Sequence, residues 1–573
     1  MSNIDIDILS DIGINEVVLV AKIGLGFVLL AIVLRPLYKF AIRPYSRTML
    51  AVKGPPLQHS IWGSWPREAE LTGRGEQYLL NTMEEYGPVC SYTSIGRRPT
   101  FIIGDHRAAN KIFLQTPYNR DPISNTTVRR HAGAGLLTTE GLQHRRQRKV
   151  AHPAFTQPAV HDMAPIFHEK AGLLIGNLRR RMEQDLTPES KQYGTRVNIA
   201  LDIFSAALDI IGAAGFDFQF NSLLNAGGSS ALEKAFYDCI HLVTTGTAYS
   251  AIRLLYGTPV EKIGRFLRIE EQMHLDRSKK LVDDISTKLV QRAKENAVSG
   301  KDLLALMVRA NTSDELKDTQ RLTDNELAQM IPIFLFAGHE TTATALSWAM
   351  LSLIDPVRGM TTQERLREEL QADSAWREDV QAMDSLPYLD AFTRETMRYY
   401  CPVREVPREV PFDDVLPLGR PIQLRDGTMA SEIRVLKGEL IDIPVGWLNR
   451  HESLWGADGN EFKAERWLSI GHEFKGDDDE LHLDPAVKEL RGVWANLATF
   501  GAGPQGCIGI RMALLEFKII IATLVTNFEI LPPNLPNEAP VEIESILEIV
   551  AHPVLKEDRD GGLAMPVRLR NLV

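Results

Sequence analysis

Residues Phe500 to Gly509 read FGAGPQGCIG and stand directly ahead of a long apolar helical pattern, IRMALLEFKIIIATLVTNF. Glycines at 501, 503, 506 and 509 admit positive φ and a close backbone approach, so the main chain is able to fold around whatever the Cys507 sulfur touches. A cysteine at a helix start meets unpaired N–H groups and the positive end of the helix dipole, which favour the thiolate, the form that ligates metal. N–H groups following Cys507 are placed to hydrogen-bond the sulfur, and Phe500 to cover it. On these residues alone three readings stand: a metal-ligating thiolate, a small buried hydrophobe, and a nucleophile for which the sequence offers no recognisable histidine partner.

The rest of the chain narrows the class. Its 573 residues are 44% hydrophobic and 24% charged, the composition of an ordinary folded enzyme. A net charge of -10 lacks the basic footprint that phosphate neutralisation requires, so no nucleic-acid partner is expected. Cys90, Cys239, Cys401 and Cys507 are scattered without a CxxC pair, which argues against a disulfide framework or a zinc site and for a reducing compartment. Helical periodicity dominates, as in ELAQMIPIFLFAGHETTATALSWAMLSLI, while PTFIIG and GELIDIPV read as short strands. The expected class is mostly α with a small β region.

Val17 to Leu34, VVLVAKIGLGFVLLAIVL, is an apolar run interrupted only by Lys22. As a helix at ~1.5 Å per residue it would span about 27 Å, close to the hydrocarbon thickness of a bilayer. Asp5, Asp7, Asp11 and Glu16 precede it and Arg35, Lys39, Arg43 and Arg47 follow it, which places the following chain in the cytosol. A removable signal peptide would want a basic start and a small-residue cleavage site, and neither is present. The expected organisation is a short lumenal amino end at 1–16, a transmembrane anchor at 17–34, a basic hinge containing Gly54-Pro55-Pro56 at 35–60, and one catalytic body at 61–573. The sequons at Asn125 and Asn311 stay unmodified if that body is cytosolic. The charged stretch from Gly471 to Pro485 reads as a surface loop.

FGAGPQGCIG strongly resembles the haem-binding loop of the cytochrome P-450 family, in which the cysteine thiolate is the axial iron ligand. Three further signatures lie upstream in the family's order. AGHETT, Ala337 to Thr342, sits in a long apolar helix and resembles the oxygen-activation segment, with Glu340 and Thr341 as the acid and alcohol that deliver protons. Glu395 and Arg398, an i,i+3 pair, resemble the family's buried ion network, completed by Arg466 from FKAERW, where relatives commonly have proline at the position of Ala464. His144 and Arg148, i,i+4 in GLQHRRQRKVAHPAF, resemble the pair that reaches a haem propionate, although the family often has tryptophan at the histidine position. The matched motifs run from His144 to Gly509.

The resemblance implies a cytochrome P-450 fold with the haem between the oxygen-activating helix and the cysteine-loop helix. It implies haem b held by Cys507, with His144, Arg148, Arg408, Phe500 and Gly509 as further cofactor-binding residues. Gln505 departs from the pattern, since relatives usually carry arginine or histidine there facing a propionate; Arg408 is the expected compensation. The implied function is a monooxygenase of the endoplasmic-reticulum membrane, fed NADPH electrons by NADPH-cytochrome P-450 reductase, with cytochrome b5 as a second donor. Arg145, Arg146 and Lys149 are expected on the basic donor-docking surface. No reductase domain and no dinucleotide-binding GxGxxG following a predicted strand is present in the sequence. The expected substrate is a hydrophobic small molecule, a terpenoid or other secondary metabolite by likeness to a fungal subgroup, with fatty-acid or xenobiotic hydroxylation as the alternative. A peroxide isomerase is disfavoured by the retained acid and alcohol, and a haem carrier would leave AGHETT without a purpose. Segments Tyr118 to Leu137 and Thr244 to Gly264 match the variable walls of the substrate pocket.

Overall fold

The computed structural model describes residues 47–572 except 59–62, 65, 67–74, 95–97, 115–117, 186, 225–233, 236–269, 297, 469–493 and 548. The expected anchor at 17–34, the pocket segment at 244–264 and the charged stretch at 471–485 lie outside these residues.

The longer described helices are α1 (Gly75–Tyr86), α2 (His106–Leu114), α3 (Pro122–Ala132), α4 (Gly141–Ala151), α5 (Ala164–Gln184), α6 (Ile199–Phe216) and α7 (Glu270–Glu295). They continue with α8 (Leu303–Thr312), α9 (Asp324–Leu353), α10 (Gly359–Ala372), α11 (Pro387–Tyr399) and α12 (Ile510–Asn527). The strands are β1 (Val89–Ser94), β2 (Arg98–Ile103), β3 (Asn119–Arg120), β4 (Thr195–Asn198), β5 (Val406–Glu409) and β6 (Asp414–Gln423). After them come β7 (Met429–Val435), β8 (Leu440–Ile443), β9 (Phe528–Leu531), β10 (Ile543–Leu547), β11 (Ala551–Leu555) and β12 (Pro566–Asn571).

Helix α9 organises the core. Thr323 caps it in a reciprocal box: its Oγ1 accepts the Glu326 N–H at 3.2 Å and the Glu326 carboxylate accepts the Thr323 N–H at 2.9 Å, satisfying two otherwise unpaired donors. Apolar on every side, α9 is buried for most of its length, the expected fate of such a helix. It packs against α6, α7 and α12. The crossing with α6 demands a small residue, because a Cβ on Gly338 would stand 2.8 Å from Ile211. Helix α6 is itself apolar and long enough to cross a membrane, but 89% of it is buried inside the protein.

The largest sheet has the order β1-β2-β8-β5-β3. Strands β2 and β8 run parallel. Antiparallel pairing of β3 with β5 sets Arg120 opposite Arg408, a like-charge pair that decides the electrostatics of the site. Smaller groups are β4-β12-β9, β6-β7 and β10-β11.

Two sequence expectations meet local detail here. Lys53 and Gly54, in the stretch read as a hinge, are fixed to the body: Ser91 N–H donates to Lys53 O at 2.9 Å and Arg425 Nη2 donates to Gly54 O at 2.7 Å. The Asn311 amide of the second sequon is engaged in the folded protein, donating to Leu322 O at 2.8 Å and accepting from Leu322 N at 2.7 Å.

Candidate active site

The stretch FGAGPQGCIG folds as a tight double bend ahead of α12. Gly501 and Gly503 lie at φ +59° and +65°, and a Cβ on Gly503 would meet Phe113 O at 2.4 Å, so both positions need glycine. Cys507 N–H closes the turn on Phe500 O at 2.8 Å, while the Phe500 ring stands edge-on to Trp494 at 5.3 Å. Gly509 is the N-cap of α12.

The thiol behaves differently from the sequence expectation. Cys507 has accessible surface, yet burial pushes its pKa above the ordinary value, opposed by the Gly509 N–H and by Arg148. Protein atoms crowd the sulfur while the residue keeps accessible surface. Burial outweighs the donor groups of the loop, and a bound cation is what would turn the thiol into thiolate.

Beside this loop lies a cationic cradle. Arg148 on α4 donates to Gly506 O at 2.7 Å. Arg408 on β5 donates to Pro407 O at 3.0 Å; burial, with Arg120 nearby, lowers its pKa to about 10. Arg120 on β3 donates to Leu136 O at 3.2 Å, Thr139 O at 2.9 Å and Glu140 Oε1 at 3.1 Å. His144 is buried with Nε2 unpartnered. Burial, with Arg120 and Arg148 adding repulsion, lowers its pKa to about 4 and keeps it neutral. Gln505 Nε2 donates to Glu140 Oε2 at 2.8 Å, so the amide that replaces the family's cation is held by a carboxylate.

His144, Arg148 and Arg408 thus share one neighbourhood with the cysteine loop, and Arg120 and Glu140 belong there too. Sequence reasoning missed both. Arg120 fell within a segment read as pocket wall, and its only signal is a cation two residues before a helix that starts with proline. Glu140 precedes Gly141 as the N-cap of α4, a position whose usual meaning is helix capping. Of the three cations expected on a donor-docking face, Arg145 and Lys149 are exposed and Arg146 is half-buried. Arg146 instead pairs with Glu326 at 3.0 Å, and Lys149 donates to Gln320 at 3.1 Å.

On α9, Ala337, Gly338 and Thr341 are only half-buried within an otherwise buried stretch. Thr341 Oγ1 donates to Ala337 O at 2.7 Å, the back-bond that loosens a helical ladder. Glu340 turns the other way. It is 1% exposed, with Oε1 3.6 Å from His339 Nδ1 and Oε2 3.4 Å from His552 Nε2. The acid and the alcohol are neighbours in sequence on different faces of the helix.

The ion network is closed. Arg398 binds Glu395 through Nη2 at 2.7 Å and Nε at 2.9 Å, and Arg466 Nε joins at 3.1 Å. Trp467 Nε1 and Lys463 N–H also donate to the Glu395 carboxylate. The remaining Arg398 donors reach Asn449 O, Gly459 O and Glu461 O. Ala464 begins the 3-10 turn that carries Arg466, and proline is not needed to form it.

These features fit haem. The donor set is one thiol in a glycine loop, three guanidiniums against one carboxylate, and an orphaned buried imidazole nitrogen. The two excess positive charges match the two propionates, and His144 Nε2 lacks only a partner of that kind.

A glycine-cradled thiol flanked by cations suited to carboxylates, in a mostly helical body organised by one long buried helix, has the donor set of a haem-thiolate protein. The chain matches the family described as cytochrome P-450 over residues 53–556 and belongs to that family. Similar proteins are cytochrome P-450 monooxygenase 205 of Postia placenta, 30% identical over 96% of this chain and 97% of the relative, and monooxygenase 128 of the same fungus, 31% identical over 96% and 97%. Cytochrome P-450 monooxygenase claQ of Ampulloclitocybe clavipes is 29% identical over 85% of this chain and 87% of the relative. The chain is an oxygen-incorporating oxidoreductase whose cofactor is a haem-thiolate iron.

Proposed function

We propose that this protein is a single-pass monooxygenase of the endoplasmic-reticulum membrane with its catalytic body in the cytosol. It inserts one oxygen atom from O2 into a hydrophobic small molecule, a terpenoid or other secondary-metabolite intermediate. NADPH supplies the electrons through a separate cytochrome P-450 reductase, with cytochrome b5 as an accessory donor. The observation that carries the reading is the Cys507 loop set against a cradle with two uncompensated positive charges. The sequence likeness to a fungal subgroup supports the substrate class.

Haem b, when bound, supplies dioxygen activation and electron storage. Cys507 holds its iron, Arg120, Arg148, Arg408 and His144 bind its propionates, and Phe500 and Gly509 shape the loop around it. Thr341 presents a hydroxyl from the half-buried face of α9, and Glu340, one residue away, is the acid that relays protons. The apolar body of α9 excludes loose water from the reacting centre.

A reduced, carbon monoxide-treated sample of the purified protein is expected to show the long-wavelength Soret band of thiolate ligation. Reconstitution with reductase is expected to give NADPH-dependent oxygenation of a hydrophobic substrate. A wild-type protein without that band would sink the reading. Screening terpenoids against fatty acids for displacement of the distal water ligand tests the substrate class.

A further inference from the structure

We propose that His552, carried by strand β11 near the carboxyl end, is a positioning residue that holds the Glu340 carboxyl and governs its charge, with His339 as the second imidazole of the same cluster. This rests on the proposed monooxygenase reading, in which Glu340 handles protons. Four polar side chains from two distant parts of the chain meet here. His552 Nε2 lies 3.4 Å from Glu340 Oε2, His339 Nδ1 lies 3.6 Å from Glu340 Oε1, and Thr344 Oγ1 is 3.3 Å from His552 Nδ1. Burial makes the grouping consequential: His339 and Thr344 are fully inaccessible, Glu340 is 1% exposed and His552 is 8% exposed.

The surroundings hold the cluster together. Phe204 of α6 places its ring against both imidazoles, at 5.3 Å from His339 and 5.8 Å from His552. Trp348 Nε1 donates to Ala551 O at 2.7 Å, which fixes the strand beside His552 onto α9. Charged groups on the packed elements have other partners. Asp202 pairs with Arg181, Asp209 accepts the N–H groups of Ser222 and Leu223, Arg559 pairs with Glu544, and Arg404 pairs with Glu76.

Two imidazoles flanking one buried carboxyl give that carboxyl a proton source independent of the face carrying Thr341. A proton moved from His552 Nε2 to Glu340 Oε2 leaves a neutral imidazole and a neutral carboxyl. Uptake of one proton at His552 and release of one from Glu340 towards Thr341 returns every group to its starting state. His552 is the most accessible titratable member, so it is the point of entry.

The test uses His552→Phe, which keeps a ring against Phe204, and His552→Gln, which keeps a hydrogen-bonding group without a proton titration. Histidine ring NMR on the full protein, which requires no turnover, should show a His552 signal that disappears in both variants. Its titration midpoint should move lower in Glu340→Gln, because removal of the anion destabilises the imidazolium. In parallel, the pH profile of product formed per NADPH should flatten in both His552 variants while the thiolate carbonyl band is retained. A His552 midpoint indifferent to Glu340→Gln, or a wild-type pH profile in both variants, would overturn the proposal. Absence of the carbonyl band from the unsubstituted protein would instead overturn the monooxygenase reading, and the NMR titration would still decide the positioning role.

Discussion

Two of the buried charge clusters among the described residues are built on opposite terms. Around Glu395, all five guanidinium donors of Arg398 are bonded within the protein and the carboxylate takes further bonds from Lys463, Arg466 and Trp467. Around the cysteine loop, three arginines face one carboxylate and a buried histidine nitrogen is left without a partner. Complete compensation describes a structural lock, whose members satisfy each other. Incomplete compensation in the interior describes a binding site, because buried charge persists only where something else neutralises it. The thiol pushed upward by burial tells the same story.

The sharpest way to break this contrast is Cys507→Ala, which should abolish the thiolate carbonyl band while leaving a folded protein by circular dichroism. A retained band would remove the basis of the assignment. On the closed side, Glu395→Gln strands Arg398 without its anion, and loss of one partner of a buried pair costs ~3–5 kcal/mol. The expected result is a large fall in melting temperature or failure to accumulate folded protein; a melt within error of wild type would show that the cluster is no lock.

On the open side, Arg148→Leu removes a charge-assisted bond of ~1.5–3 kcal/mol. It should speed haem release about 10- to 100-fold with a smaller change in the melt of the apoprotein. Smaller effects are expected at the departure from the family pattern. Gln505→Arg should leave haem occupancy unchanged or raise it, because Glu140 already holds that side chain at 2.8 Å. Glu140→Gln, which removes the one anion of the cradle, should slow haem release. Faster release from either variant would count against the charge balance drawn here.

The smallest effect is acid sensitivity. His106 is buried on α2 with both ring nitrogens unbonded, and burial, with Arg420 nearby, lowers its pKa from 6.5 to about 4. Between those values the unfolded chain binds the proton and the folded chain does not, so stability is present above about 6.5 and is lost as pH falls towards 4. His144 has the same sign. His106→Phe should flatten the decline in melting temperature across that window, and an unchanged decline would show that His106 is not its source.

Much of this was legible in the sequence, for physical reasons. The turn that carries Cys507 needs glycine at 501 and 503, and that requirement is written in adjacent letters at Phe500 to Gly509. The Glu395 and Arg398 pair is legible because helical geometry puts i and i+3 on one face. The cradle was only half visible. Arg120 reaches Arg408 through β3 and β5 pairing, and Glu140 meets Gln505 across a separation in sequence of 365 residues, so no spacing rule connects them. Glu340 and Thr341 were read together as neighbours, yet successive helical residues diverge by about 100° and their side chains part.

The sequence by itself determined the family, the glycine-set cysteine turn and the long apolar helix, because each depends on local backbone chemistry or on helical period. Only the tertiary structure decided the charge state around them. It set burial above the loop's donors at Cys507, paired Gln505 with a carboxylate, and brought His552 to Glu340 from strand β11. Charge in a protein interior depends on which groups are brought within a few ångströms and how far water is removed, and neither quantity is a property of neighbouring letters.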